Sequence, residues 1–183
     1  MKICIFCGAF SSNDQKVDQE VLKVMSYFKQ NNIGLVYGGA AIGIMGKLAN
    51  ELVNLGGEVI GVIPRQLMKK EVAHAGLNKL HVVADMHQRK KLMYELSDAF
   101  LIFPGGMGTL DELFEILTWK QLGLHSKPIA IFNINGYFDH LISFIEQAID
   151  KGLIRPENRE LYFVSSDWSE IAAHFDQATK AKL

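Results

Sequence analysis

Short apolar runs alternate with longer amphipathic segments along the chain. Runs rich in Val, Ile and Phe, bounded by Gly, Pro, Asn or Asp, predict strands at 2–7, 33–38, 58–64, 80–84, 98–104, 128–133 and 161–166. Between them, apolar residues recur at helical spacing and predict helices over 16–30, 43–56, 86–97, 109–122, 137–151 and 168–176. Several strands are apolar at successive positions, which is typical of strands covered on both faces.

This alternation predicts an α/β fold with a doubly wound, Rossmann-like and mostly parallel sheet that carries helices on both faces. The sequence shows no linker, internal repeat or low-complexity tract, so we expect residues 1–183 to form a single nucleotide-binding domain. In such sheets ligands bind outside the carboxyl ends of the strands. Functional residues should therefore follow the strands directly.

Composition narrows the class of protein. Hydrophobic residues make up 49% and charged residues 21% of the 183, which is ordinary for a globular protein. The net charge of −1 provides no basic surface for nucleic acid or for an anionic membrane. No apolar run reaches the ~18 residues that span a bilayer, and the N-terminus does not resemble a signal peptide. These features predict a cytoplasmic protein with neither nucleic-acid nor membrane partners.

The two cysteines, Cys4 and Cys7, lie within the first predicted strand. Residues three apart in a strand point to opposite faces, unlike a redox pair at the start of a helix. A zinc site would need further ligands at suitable spacing, and the sequence has no second cysteine pair. We therefore interpret both as small buried apolar residues and predict no metal site.

Two predicted strands end in glycine-rich loops, 38-GGAAIGIMG-46 and 104-PGGMGTLDE-112. Each leads into a helix, where backbone amides and the helix dipole favour an anion, and glycine lets the backbone approach it closely. Neither loop has the spacing of a dinucleotide fingerprint or a Walker A motif. The glycines could simply form tight turns, but two such loops at one sheet edge favour a cradle for a phosphorylated ligand.

Glu112 has two interpretations. Thr109 and Glu112 fit a capping box, in which Thr109 is the N-cap and Glu112 returns a hydrogen bond to it. A carboxylate one turn into a helix, beside a phosphate loop, could instead face a sugar. The spacing is compatible with both roles.

A third element, 85-DMHQRKKLM-93, carries basic residues at the start of a predicted helix. Asp85 and Gln88 fit an N-cap arrangement, which places Arg89 and Lys90 in the early turns. Cations usually lie near helix C-termini, so a bound anion would explain this placement. A solvated basic face is the alternative.

Three motifs together resemble the Lonely Guy family of cytokinin riboside 5′-monophosphate phosphoribohydrolases, whose members are often mislabelled as lysine decarboxylases. They are 104-PGGMGTLDE-112, which meets the family pattern PGGxGTxxE at every specified position, 86-MHQRK-90 and 38-GGAAIGIMG-46. The resemblance covers nearly the whole chain. In the family the first loop often reads CGSS, whereas Cys7-Gly8 is followed here by Ala9-Phe10, so no role is transferred to Ser11 or Ser12.

The resemblance implies hydrolysis of the N-glycosidic bond of an adenosine 5′-monophosphate derivative to a free base and ribose 5-phosphate. It implies Arg89 and Glu112 as the catalytic pair. Substrate-binding residues carried over from matching motifs are Gly105, Gly106, Gly108 and Thr109 at the phosphate, Lys90 and Gly39 near the nucleotide, and Asp111 and Thr118 as further additions. The reaction needs neither cofactor nor metal.

Proteins of this family are usually homodimers with sites near the subunit interface. We therefore expect a homodimer, with the apolar helix around Leu113, Ile116, Leu117 and Trp119 as the candidate interface. A non-catalytic nucleotide-binding or carrier module is the main alternative function. The preferred N6 substituent and the physiological role stay open.

Overall fold

The structure, a computed structural model, describes residues 1–11, 13–68 and 74–180, with the backbone alone for 179 and 180. The strands are β1 Lys2–Phe6, β2 Gly34–Tyr37, β3 Val59–Pro64, β4 Lys79–Val83, β5 Ala99–Ile102, β6 Ile129–Phe132 and β7 Phe163–Ser165. The α-helices are α1 Gln15–Gln30, α2 Gly43–Asn54, α3 Met86–Glu95, α4 Met107–Gln121, α5 Asp139–Asp150 and α6 Trp168–Lys180. Short 3₁₀ turns, which the sequence pattern did not predict, cover Arg65–Leu67, Ile134–Gly136 and Pro156–Leu161.

All seven strands belong to one parallel sheet, in the order β4-β3-β2-β1-β5-β6-β7. The chain first builds outward from β1 through β2 to β4, then returns to the other side of β1 with β5. The predicted doubly wound α/β fold is confirmed. Its topological switch point lies between β1 and β5, where the loops that follow the two strands diverge and leave a crevice.

Alternation along the strands sends side chains to two apolar layers. Ile3 and Ile5 of β1 pack with α1, α2 and α6 on one face, whereas Cys4 and Phe6 pack with α3 and α4 on the other. Cys7, just past β1, belongs to the first layer, so the two thiols lie on opposite faces and both are buried and free, as predicted. Burial raises the pKa of each thiol, which keeps both protonated.

The predicted subunit interface on α4 is wrong. Leu113, Ile116 and Leu117 are buried against the sheet within the chain itself. Trp119 is half-buried and packs edge-on against Tyr94, with ring centroids 5.1 Å apart. The apolar stripe on α4 is therefore core, because a helix that covers a parallel sheet must be apolar on its sheet-facing side.

Within the part of the chain that the structure describes, no helix is both long and apolar enough to cross a membrane.

Candidate active site

A cavity of about 360 Å³ opens at the switch point. The loop after β1 and the first turns of α4, which follows β5, form two of its walls, as the topology requires. Its lining residues are Ile5, Cys7, Gly8, Ala9, Phe10, Gly38, Met45, Met86, Arg89, Met93, Gly106, Met107, Gly108, Thr109, Asp111 and Glu112. The cavity thus combines an apolar wall, an arginine–glutamate pair and a helix N-terminus.

Arg89 is held in this cavity by backbone carbonyls. The Asp85 side chain caps α3 by accepting the Gln88 amide (2.8 Å), as predicted, and this starts the helix so that Arg89 points at the sheet. Its guanidinium donates through Nε to the carbonyl of Val62 (3.2 Å) and through Nη2 to that of Gly38 (3.3 Å). Arg89 as a whole is 6% exposed, so the solvated-face alternative does not apply to it.

Glu112 lies across from Arg89, with Oε1 3.9 Å from Nη1, and is 7% exposed. Burial raises the pKa of Glu112 from its ordinary value of 4.5 to about 7, although the Arg89 charge acts in the opposite direction. The distance exceeds that of a direct hydrogen bond, so the pair is close enough to interact electrostatically and open enough to admit a ligand. A buried carboxyl that titrates near neutral pH is suited to acid–base work.

The capping-box interpretation of Thr109 and Glu112 is wrong. Helix α4 begins at Met107 with Gly106 as its N-cap and has no side-chain cap, so Thr109 is already the third helical residue. The amides of the first turn therefore lack intrahelical acceptors. A Cβ added at Gly106 or Gly108 would meet open space, so these glycines leave the turn accessible. This uncapped helix start is suited to an anion.

Thr109 adds a hydroxyl to that turn. Its Oγ1 is buried and has no hydrogen-bond partner among the residues that the structure describes, which is costly unless a ligand supplies one. A Cβ at Gly105 would collide with this oxygen and lie 2.7 Å from the Gly8 nitrogen. Gly105 is thus required for close packing next to the hydroxyl.

The first glycine-rich loop does not form the other half of a phosphate cradle. The amides of Ile44 and Met45, which begin α2, donate to the carbonyl of Gly8 at 3.2 and 3.4 Å. A Cβ at Gly43, where φ is +62°, would collide with the backbone of Ala9. These glycines let the loop after β1 pack against α2, so the tight-turn interpretation is correct for this loop.

The other candidate residues lie around the cavity at different depths. Lys90 bridges α3 to α4 through Asp111 (3.1 Å) and Glu115 (3.0 Å). Gly39, with φ +78°, packs against β3 outside the cavity lining, and its neighbour Gly38 lines the cavity instead. Thr118 is exposed, outside the lining, and its hydroxyl donates to the carbonyl of Phe114 (2.7 Å).

Sequence reasoning missed much of the apolar wall and one neighbouring cavity. Four methionines line the main cavity at positions 45, 86, 93 and 107, and helical periodicity alone assigns such residues to the core. A smaller cavity of about 190 Å³ adjoins it and is lined by Gly8, Phe10, Ser11, Ile44, Pro104, Gly105, Gly106 and Tyr137. The sequence signal for Tyr137 is its position just after β6, at the same sheet edge.

Known proteins resemble this chain over most of its length. The profile of a family described as possible lysine decarboxylase matches residues 45–175. A cytokinin riboside 5′-monophosphate phosphoribohydrolase of Rhodococcoides fascians is 47% identical over 166 residues, which cover 90% of this chain and 84% of that protein. The cytokinin riboside 5′-monophosphate phosphoribohydrolase LOG1 of Arabidopsis thaliana is 44% identical over 160 residues, covering 87% and 75% respectively.

Solved structures share the fold at much lower sequence identity. The Moco carrier protein of Chlamydomonas reinhardtii superposes with a TM-score of 0.69 at 17% identity and covers 100% of this chain and 98% of its own. The molybdenum cofactor binding protein of Rippkaea orientalis gives 0.68 at 16% identity, covering 98% and 95%. At such identity these likenesses establish the fold and leave the ligand open.

The fold and the cavity define a Rossmann-like α/β protein with an uncapped helix start beside a buried glutamate–arginine pair. Over almost its full length the sequence matches characterised enzymes that carry one name. The chain belongs to the Lonely Guy family of cytokinin riboside 5′-monophosphate phosphoribohydrolases.

Proposed function

We propose that this protein hydrolyses the N-glycosidic bond of adenine-type nucleoside 5′-monophosphates and releases a free base and ribose 5-phosphate. The observation that carries the proposal is the buried Glu112–Arg89 pair beside the uncapped start of α4, in a chain of this family. The phosphate of a phosphorylated sugar satisfies the helix start, and Glu112 lies little more than one helical turn further along α4, within reach of the sugar.

The phosphate is the first group to be bound in this proposal. The open amides at the start of α4, with Gly106 and Gly108, receive its oxygens together with the unpartnered hydroxyl of Thr109. Gly105 and Lys90 support these groups, Gly105 through its packing and Lys90 by joining α3 to α4. Binding energy from this remote group positions the sugar for reaction.

Glu112 then acts on the sugar. The C1′–N9 bond breaks with its electron pair leaving on the base, and the positive charge that develops on the ribose is stabilised by the ionised carboxylate. Water adds to C1′ and gives one proton to Glu112, which is suited to accept it because its pKa of about 7 is near the working pH. Transfer of that proton to the departing base gives the neutral free base and restores the carboxylate.

Arg89 orients the substrate. Two carbonyls fix Nε and Nη2, whereas Nη1 lies between the Met86 sulfur (3.8 Å) and Glu112 (3.9 Å) and faces the ligand in this proposal. A fixed fork of donors can bind ribose hydroxyls or a phosphate oxygen with defined geometry. Arg89 also keeps a positive charge beside Glu112, which favours the ionised form of the carboxyl group.

The carrier alternative shares the phosphate site but has no use for Glu112. A carboxylate buried at an energetic cost is unfavourable for binding an anion, because its charge repels a phosphate. The named relatives are hydrolases at 44% and 47% identity, whereas the carrier proteins resemble this chain in fold alone. A decarboxylase using pyridoxal phosphate would need a lysine for the Schiff base, and among the residues that the structure describes no lysine lines the cavity.

Three broader predictions remain proposals. We infer a homodimer. Three exposed apolar side chains, Phe114 on α4 and Leu122 and Leu124 just after it, replace the buried stripe proposed from sequence as the candidate interface. Light scattering after gel filtration, on the native chain and on Leu122→Asp/Leu124→Asp, would test it.

A single domain over residues 1–183 and a cytoplasmic location also stay predictions, to be tested by limited proteolysis and by imaging of a tagged chain.

The central experiment measures release of free base. The protein is incubated with adenosine 5′-monophosphate and with N6-isopentenyladenosine 5′-monophosphate, and products are separated by chromatography. We expect base from at least one monophosphate, and much slower release from adenosine because it lacks the phosphate. A protein that binds these nucleotides and releases no base from any of them is a binding module, and the proposal fails.

The same assay on Glu112→Ala separates chemistry from folding. We expect this variant to bind nucleotide and lose turnover. Normal turnover by the variant would contradict the role given to Glu112.

A further inference from the structure

Three successive carbonyls in the loop between β5 and α4 are fixed by three different parts of the fold. The Gly8 amide donates to the carbonyl of Pro104 (3.1 Å), and the Leu110 amide donates to that of Gly106 (3.1 Å). Between them, the hydroxyl of Tyr137 donates to the carbonyl of Gly105 (2.8 Å). The middle bond comes from a side chain beyond β6, outside the motif that resembles the phosphate loop of the family.

The peptide between Gly105 and Gly106 needs such a restraint. A planar trans peptide directs its carbonyl and its N–H to opposite sides, so the orientation of the carbonyl determines that of the amide. Both flanking residues lack a Cβ, and glycine accepts either orientation at little steric cost. If this peptide turned over, it would present a carbonyl oxygen, instead of an N–H, to a bound anion.

Tyr137 is well placed to prevent that rotation. It follows a 3₁₀ turn in which Asn135 (φ 51°) and Gly136 (φ 71°) adopt left-handed conformations, and its own amide donates to the carbonyl of Ile134 (3.1 Å). The Asn135 side chain donates to Asp14, the N-cap of α1, at 2.8 Å. The Tyr137 ring packs edge-on against the buried Phe138, with centroids 4.9 Å apart. Although Tyr137 is 54% exposed, its backbone and ring are held in place.

The two cavities meet at this peptide. Gly106 lines both, and Tyr137 lines the smaller one. With the Gly105 carbonyl bonded to Tyr137 on the side of the smaller cavity, the Gly106 amide is on the opposite side of the peptide. That side is the main cavity, where the start of α4 and the Thr109 hydroxyl lie.

We propose that Tyr137 is a positioning residue for the phosphate site: its hydroxyl fixes the Gly105 carbonyl so that the Gly106 amide is aimed at the phosphate of the substrate. This proposal rests on the proposed function for the identity of the ligand. It does not rest on turnover, because the geometry concerns binding of the phosphate group.

Equilibrium binding to Tyr137→Phe tests the proposal. The substitution removes the hydroxyl and keeps the ring against Phe138. Calorimetric titrations use ribose 5-phosphate and inorganic phosphate as ligands that the enzyme cannot hydrolyse, with adenosine as the ligand that lacks phosphate. We expect the dissociation constants of both phosphate ligands to rise about three- to tenfold, the usual effect of one hydrogen bond, and that of adenosine to stay unchanged.

Tyr27→Phe is the matched control. It removes a tyrosine hydroxyl that donates to Asp176 (3.1 Å), away from the cavity lining, and we expect no change in affinity for either class of ligand. Equal affinities of native protein and Tyr137→Phe for ribose 5-phosphate would overturn the proposal. So would an equal loss of affinity for adenosine, since that would indicate general disruption of the site.

The result is separable from the function itself. If the native protein binds ribose 5-phosphate but hydrolyses no nucleotide, the proposed function fails and the role of Tyr137 is still tested by the same titrations. If it binds no phosphate ligand, the role of Tyr137 fails.

Discussion

Replacing Glu112 by glutamine removes a buried ionisable group and nearly preserves its shape, so it tests the electrostatics of the site directly. Burial raises the pKa of Glu112 to about 7, from an ordinary value of 4.5. For an acid whose folded-state pKa is raised, ionisation favours the unfolded chain, and stability is lost as the pH rises from about 4.5 to about 7. Above about pH 7 the folded protein carries the full free-energy cost of the ionised, buried carboxylate.

The expected magnitude follows from the pKa difference. A rise from 4.5 to about 7 corresponds to about 3 kcal/mol of the free energy of unfolding at pH 8, most of which develops between pH 5 and pH 8. Glutamine cannot ionise, so Glu112→Gln should be more stable than the native protein at pH 8. For a chain of this size each kcal/mol shifts the melting temperature by about 2–4 °C, which gives an extra rise of about 5–10 °C at pH 8 relative to pH 5.

Thermal unfolding followed by circular dichroism at pH 5 and pH 8 measures this difference. Glu115→Gln, one turn further along α4, is the matched control, and we expect no stabilisation from it at pH 8 because it removes a partner of Lys90. Glu112→Gln should at the same time lose turnover, because glutamine can neither carry the negative charge nor accept the proton. A gain in stability with a loss of activity is the pattern expected of an active-site group that is held at a cost in stability. An equal melting temperature for the native protein and Glu112→Gln at pH 8 would refute the reasoning.

Three further predictions follow from the site. Gly38→Ala places a Cβ on Nη2 of Arg89 and should lower kcat/KM at least about 100-fold, equivalent to about 2.7 kcal/mol of transition-state stabilisation. Unchanged steady-state kinetics would contradict the assigned position of Arg89. Thr109→Val removes a buried hydroxyl that has no partner among the described residues, so calorimetry should show weaker binding of ribose 5-phosphate while the melting temperature stays equal or rises. A clear fall in the melting temperature would indicate that the hydroxyl is bonded within the fold. For the free enzyme, kcat/KM should rise with pH and level off above about 7, as Glu112 ionises; a flat profile between pH 5 and pH 9 would exclude Glu112 as the base.

The sequence by itself determined the order and type of the elements. Each predicted strand and helix is present, with ends that differ by a few residues, because short continuous apolar runs and stripes at period 3.6 are local properties of the chain. It also placed the candidate site residues beyond the carboxyl ends of the strands, where the main cavity lies, since parallel α/β topology brings those ends together. The two cysteines were assigned to opposite faces for the same local reason.

Tertiary structure decided what the loops and charges do. Thr109 and Glu112 satisfy a capping pattern, but α4 begins two residues before Thr109, so the hydroxyl and the carboxylate are free for a ligand. Two loops of similar glycine content differ in their surroundings. The Gly8 carbonyl accepts hydrogen bonds from the amides at the start of α2, whereas the start of α4 stays accessible at Gly106 and Gly108. The apolar stripe on α4 is core instead of interface, because periodicity identifies an apolar face without saying what covers it.

The pairing of Glu112 with Arg89 also depends on the fold. Local pattern gave each residue two interpretations, and only the packing of α3 and α4 on the same face of the sheet brings the two side chains to 3.9 Å from each other. Burial of both, and with it the raised pKa of Glu112, is a property of that assembly. A sequence specifies such groups by type, whereas their distance and dielectric surroundings exist only once distant segments have packed.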